Sequence, residues 1–172
     1  LLDGKDISDL PEHKRAYMLG RVFQDPMMGT AAGMEIQENM AMAHRRGKNR
    51  GLRWGITKSE KKMYKEKLAM LDLGLEDRLT SKVGLLSGGQ RQALTLLMAT
   101  LNKPSLLLVD EHTAALDPKT AKNVLELTEK MIARDSLTAM MVTHNMKDAI
   151  RIGNRLIMMT SGRIIYDVSG EE

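Results

Sequence analysis

No cysteine occurs among the 172 residues, and aromatic side chains are almost as scarce, with one Phe, one Trp and three Tyr. Without thiols, neither a disulfide framework nor a cysteine zinc site can staple the fold. A chain of this length needs no staple, because it buries roughly two-thirds of the surface that it exposes when unfolded. No apolar run approaches the roughly 18 residues of a membrane span, and Leu1-Leu2-Asp3-Gly4-Lys5 lacks the basic, apolar and small-residue order of a secretory signal. The sequence therefore reads as one soluble, cytoplasmic domain. The bulk that aromatics would supply falls to aliphatic side chains, and the 15 methionines are expected to build an adaptable core.

Positive charge exceeds negative, with a net charge of +4, but the excess is local. Arg45, Arg46, Lys48, Arg50 and Arg53 lie together with no acid among them, and without these five the remainder carries −1. The glycines in this segment predict an exposed, solvated loop, with contact to phosphate headgroups or an acidic partner as the alternative. A single basic run is too little for a nucleic-acid interface, and no nucleic-acid partner is expected.

Helical periodicity alternates with short apolar runs, the pattern of an α/β fold. Helices are predicted over Pro11 to Met18, Met34 to Arg45, Ser59 to Leu73, from Ser87 to Leu101, Pro118 to Arg134 and Met146 to Ile152. Strands are predicted over Gly20 to Phe23, Leu106 to Val109 and Leu137 to Val142, the last two as buried strands of a parallel sheet. Leu156 to Met159 and Arg163 to Tyr166 flank Ser161-Gly162 as a terminal hairpin.

Polar residues gather where these elements meet. Leu86-Ser87-Gly88-Gly89-Gln90 opens a helix, whose unpaired N–H groups and positive dipole end suit a phosphate. The same residues read equally well as a capping box, with Ser87 as N-cap and Gln90 reaching back. Asp110-Glu111 directly follows an apolar strand, at the carboxyl edge where parallel sheets bind ligands. There Asp110 can hold Mg²⁺ and Glu111 can polarise a water, although an isolated Asp-Glu pair often does no more than cap a turn. His144 follows the next strand and Gln24 the first, a second and a third polar strand end.

Gln24, Leu86 to Gln90, the strand ending in Asp110-Glu111, Ala115-Leu116-Asp117 and His144 together resemble, in order and spacing, the motifs of the ATP-binding cassette (ABC) ATPases. The resemblance spans nearly the whole chain. It is most specific in the signature Leu86 to Gln90 followed by an aliphatic strand ending Asp-Glu. It implies a P-loop NTPase-like α/β core with a parallel sheet, made of residues 1–33 and 102–172, and a helical subdomain over 34–101. Phe23 to Thr30 and the stretch after it look most like ATPases of bacterial importers of small organic solutes such as amino acids.

In that family two cassettes close head to tail around two ATP molecules and drive a permease. The resemblance implies that Ser87, Gly88, Gly89 and Gln90 meet nucleotide held by a second ABC ATPase chain, while Asp117 couples the two sites. Asp110 and Gln24 would sit on Mg²⁺, Glu111 would activate water, and His144 would contact the γ-phosphate. The partners it implies are that second chain, a transmembrane permease and a solute-binding protein, with the ATPase peripheral to the inner face of the membrane. A cassette ATPase of DNA repair or translation, or an adaptor lending only a signature, is the alternative. Two departures stand out. His112 occupies a position where family members often have proline, so the rigidity of that turn is open. No Gly-x-x-x-x-Gly-Lys-Ser/Thr loop is present either. The chain thus reads as the C-terminal two-thirds of a cassette, inactive by itself.

Overall fold

A computed structural model describes residues 1–48 and 55–170. Three short strands, β1 (Leu19–Val22), β2 (Leu106–Asp110) and β3 (Ala139–Val142), form a parallel sheet in the order β1-β2-β3. Six α-helices accompany them among the described residues: α1 (Glu12–Met18), α2 (Ile36–His44), α3 (Lys58–Ala69), α4 (Gly88–Thr100), α5 (Pro118–Asp135) and α6 (Met146–Ile152), with two single 3₁₀ turns at Leu75–Asp77 and Val83–Leu85. A separate antiparallel hairpin, β4 (Arg155–Thr160) and β5 (Arg163–Ser169), turns at Ser161 and Gly162. Both turn residues have positive φ, +47° and +75°, as the favoured two-residue hairpin turn demands. Arg155 clamps Asp167 across the hairpin with two hydrogen bonds of 2.9 and 2.8 Å.

Local chemistry starts each of the longer helices. Glu35 and Glu38 form a reciprocal capping box at α2, as do Thr57 and Glu60 at α3 and Ser87 and Gln90 at α4. Asp117 caps α5, with Pro118 in its first turn. α3 stops at Ala69, four residues short of the predicted Leu73. Its last turn tightens, and left-handed residues at Asp72 and Gly74 turn the chain inward, so that Leu71 and Leu75 enter the core.

That core joins the helices to one face of the sheet. Ile36, Met40, Tyr64, Leu68, Leu94 and Leu97 pack in one cluster with Val22, Leu107 and Val109. α4 is buried on more sides than its predicted apolar stripe, since Gln92, Thr95 and Thr100 are also enclosed. Among the described residues, only Met40 and Met131 of the methionines are fully enclosed, whereas Met28, Met140 and Met159 are more than half exposed. The expected methionine core is thus corrected to one built mainly of leucine and valine.

The predicted burial of β3 also needs correction. Met140 and Val142 are each 55% exposed. In register they share a face with Arg21, Leu108 and Asp110, opposite the face that α4 and α5 cover. Leu108 itself is only half-buried, so β2 is covered fully on one face.

Gly20 lies where β1 crosses the end of α4. A Cβ there would sit 2.7 Å from the Ala99 carbonyl oxygen and 2.9 Å from Pro104 Cγ. Gly20→Ala should therefore destabilise the chain by about 1–3 kcal/mol through overpacking. A denaturation midpoint unchanged by the substitution would show that the crossing can relax.

The basic run is less uniformly solvated than expected. Arg45 caps the end of α2 and pairs with Glu60 of α3 at 2.8 Å, and burial lowers the pKa of Arg46. Arg50 and Arg53 lie outside the described residues.

Candidate active site

Because β1, β2 and β3 run parallel, their carboxyl ends open on one edge of the sheet. Gln24, Glu111 and His144 follow those three ends, and the fold brings all three side chains together. Glu111 Oε1 accepts from His144 Nδ1 at 3.1 Å, and its Oε2 accepts from Gln24 Nε2 at 3.4 Å. His144 thus presents its other ring nitrogen outward, and its side chain is 73% exposed. A side-chain contact so open to water adds little stability, so the backbone has to hold the cluster.

It does so through an unusual conformation. Glu111 has a φ of +39°, in the left-handed region that long side chains seldom adopt. Its N–H donates to the Val142 carbonyl and its carbonyl accepts from the Ala114 N–H, each at 2.9 Å. This turn ends the strand alternation immediately after Asp110 and lets the carboxylate reach both neighbours.

Asp110 is half-buried at the end of β2. Gln24 gives its amide N–H to Glu111, so its carbonyl oxygen is the group free to face a cation. Among the described residues no three His, Asp or Glu side chains gather to hold a metal by themselves. Two oxygen donors fit Mg²⁺, which keeps water ligands and shares itself with phosphates, better than they fit a metal in an all-protein cage.

The second group of predicted residues lies apart from the first. Ser87 Oγ accepts from the Gln90 N–H at 3.2 Å, and Gln90 Oε1 accepts from the Ser87 N–H at 3.2 Å. Gln90 Nε2 also donates to the Leu73 carbonyl at 3.4 Å. Ser87 and Gly88 are exposed, but Gly89 is buried against the start of α5. A Cβ on Gly89 would come within 2.2 Å of Thr120 Cγ2, and one on Gly88 within 3.1 Å of Leu116 Cδ2. The glycine pair therefore has a packing reason within this chain: it lets the start of α4 approach the start of α5. Asp117, fully exposed, accepts from the Thr120 N–H at 3.1 Å. The hydrogen bonds from Thr120 hold its carboxyl below the usual range. A cavity of about 480 Å³ beside Ser87, Gly89, Gln90 and Thr120 includes none of Gln24, Asp110, Glu111 or His144.

His112, noted in the sequence only as a departure, is enclosed, with 2% of its surface accessible. Its Nε2 lies 2.9 Å from Thr128 Oγ1 of α5. The Thr128 hydroxyl gives its single proton to the Val124 carbonyl at 2.8 Å, so His112 Nε2 must be the donor to it. Nε2 of the ring therefore carries a proton. Burial lowers its pKa from an ordinary 6.5 to about 4. The unfolded chain then binds a proton that the folded chain refuses. Stability should be full above pH 6.5 and should fall as the pH drops from 6.5 toward 4, by about 3 kcal/mol from this group. Chemical denaturation of wild type and His112→Gln across that window checks it, and parallel pH profiles would contradict it.

The sequence model of the ABC transporter family matches residues 1–114. The chain belongs to this family. Among curated relatives, the tyrosine transport ATP-binding protein of Clostridioides difficile is 44% identical over 171 residues, covering 99% of this chain and 68% of that protein. The methionine import ATP-binding protein MetN of Streptococcus pneumoniae is 34% identical, covering 98% of this chain and 45% of the relative. The spermidine/putrescine import ATP-binding protein PotA of Haemophilus ducreyi is 32% identical, covering 100% and 43%. The chain thus spans less than half the length of the last two. An ATP-binding cassette solved as a dimer in a post-hydrolysis state, bound to ADP and Pi, superposes with a TM-score of 0.77 at 30% identity, over 98% of this chain and 71% of that one. At 23% identity, cbiO1 from Clostridium perfringens shares the fold alone, with a TM-score of 0.79 over 98% of this chain and 64% of its own. The chain is thus an ABC ATPase domain with a P-loop NTPase-like parallel-sheet fold. No helix among the described residues is long and apolar enough to cross a membrane.

Proposed function

We propose that this chain is part of the ATP-binding and hydrolysing subunit of an ABC importer for a small organic solute, an amino acid in the first instance. The observation that carries the reading is the meeting of Gln24, Glu111 and His144 at three neighbouring strand ends. Relatives named for tyrosine and methionine transport support the solute class. Bound Mg-ATP supplies the anhydride bond whose cleavage drives transport. Toward it, Asp110 and the Gln24 carbonyl oxygen would hold the cation, and Glu111 would orient a water and accept its proton. His144 Nδ1 fixes the Glu111 carboxylate, and its outer nitrogen would face the phosphate. Ser87 and Gly88 meet nucleotide held by a second cassette, and Asp117 lies on the border between the two. Residues 34–101 form the helical subdomain, and the surface near Gln24 faces a permease at the inner side of the membrane. A solute-binding protein completes the assembly.

The 172 residues by themselves carry carboxylates but no lysine-bearing phosphate loop, so a triphosphate meets Asp110 and Glu111 without the cradle that would offset its charge. We expect the complete protein to bind Mg-ATP at micromolar concentration and hydrolyse it, and the 172-residue chain to do neither. Calorimetric titration of both is the measurement. Micromolar binding and turnover by the short chain would overturn this reading of the site.

A further inference from the structure

We propose that His112, acting through Thr128, is a positioning residue that locks the Glu111 turn onto helix α5; the proposal rests on the ATPase reading of Glu111. Three observations lead to it. Glu111 is held at a φ of +39°, a strained conformation for a long side chain that persists only where the surroundings over-determine it. The two backbone bonds on Glu111 fix it to Val142 and Ala114, but Ala114 belongs to the same turn and lends no outside support. The next side chain along, His112, is the one that leaves the turn and enters the interior, where His112 and Thr128 are 2% and 0% exposed.

The link is directional and complete. His112 Nε2–H donates to Thr128 Oγ1 at 2.9 Å, and the Thr128 hydroxyl donates to the Val124 carbonyl at 2.8 Å. His112 Nε2 and the Thr128 hydroxyl are both paired in this relay, at a depth where an unpaired donor is costly. The helix it anchors to is the one whose start packs against Gly89 of the signature and is capped by Asp117. The turn carrying Glu111 and the turn carrying Ser87 are thereby referred to one rigid element. A proline at 112 could stiffen the turn but could not tie it to α5, since it has no side-chain donor.

The test uses the complete protein with Thr128→Val, which keeps the shape and removes the hydroxyl, together with Thr128→Ser, His112→Gln and Glu111→Gln. If the relay positions Glu111, Thr128→Val should lower kcat about tenfold with KM for ATP within twofold, because small misplacements of a reacting group are costly. Thr128→Ser and His112→Gln, which keep a hydroxyl and an Nε donor, should restore at least half of wild-type kcat. Independently of turnover, the His112 Nε2 proton should appear in ¹⁵N-edited NMR of wild type as a solvent-protected signal and exchange freely in Thr128→Val. A Thr128→Val protein that melts earlier but keeps kcat within twofold, while Glu111→Gln is inactive, would reduce the relay to a structural bond and overturn the proposal. Turnover surviving in Glu111→Gln would instead remove the ATPase reading of Glu111, and the positioning role with it.

Discussion

Replacing Glu111 by Gln in the complete protein should cut ATP turnover at least about 100-fold while leaving ATP affinity within a few-fold of wild type. The amide keeps the length and shape of the side chain but cannot take a proton from water, and general-base contributions are of order 10²–10⁴. The geometry sharpens the expectation. The amide oxygen can still accept from His144 Nδ1, but its NH₂ then faces the Gln24 Nε2 donor, so one of the two contacts that frame Glu111 is lost. Neither contact binds nucleotide in the proposed arrangement, and the two measurements should therefore separate. Turnover within a factor of two of wild type would remove Glu111 from the catalytic role.

A second substitution addresses the other group of residues. Ser87→Arg should spare ATP binding by the single subunit yet abolish the ATP-dependent dimer and the turnover that depends on it. Ser87 is exposed at the start of α4, and in the proposed arrangement an arginine there would fill the space through which nucleotide on a second cassette approaches. The mutation also removes the hydroxyl that accepts from the Gln90 N–H, a capping loss worth about 1 kcal/mol. Ser87→Ala loses only the cap, so the two effects are separable. Light scattering with and without ATP, alongside turnover, is the measurement. A Ser87→Arg protein that still dimerises on ATP would place the signature elsewhere.

Both expectations rest on motifs visible along the chain, but the sequence alone left their packing partners open. Ser87 and Gln90 allowed a phosphate site or a capping box, and the capping box is formed. The glycine pair called for an explanation beyond helix propensity, and Thr120 and Leu116, some thirty residues further on, provide one. His112 looked like a loss of rigidity because the resemblance set it against proline. Its bond to Thr128 closes across a helix that no local pattern pairs with that turn. The methionines misled for a similar reason: composition counts them but does not say which face they occupy, and most of the deeply enclosed sites went to leucine and valine.

By itself the sequence determined the elements and the order of the chemistry. Capping residues, Pro118, the Ser161-Gly162 turn and the aliphatic run before Asp110 act over a few residues, through hydrogen bonds and backbone preferences that neighbouring residues supply. Only the tertiary structure decided which strand ends meet. The parallel order β1-β2-β3 sets Gln24, Glu111 and His144 side by side although 87 and 33 residues separate Glu111 from its two partners. It also decided that β2 is covered on one face and half-open on the other, and that a buried histidine stands behind Glu111. Contacts of that range depend on how whole elements stack, and stacking is fixed by the total burial of helices against the sheet rather than by any single residue's preference.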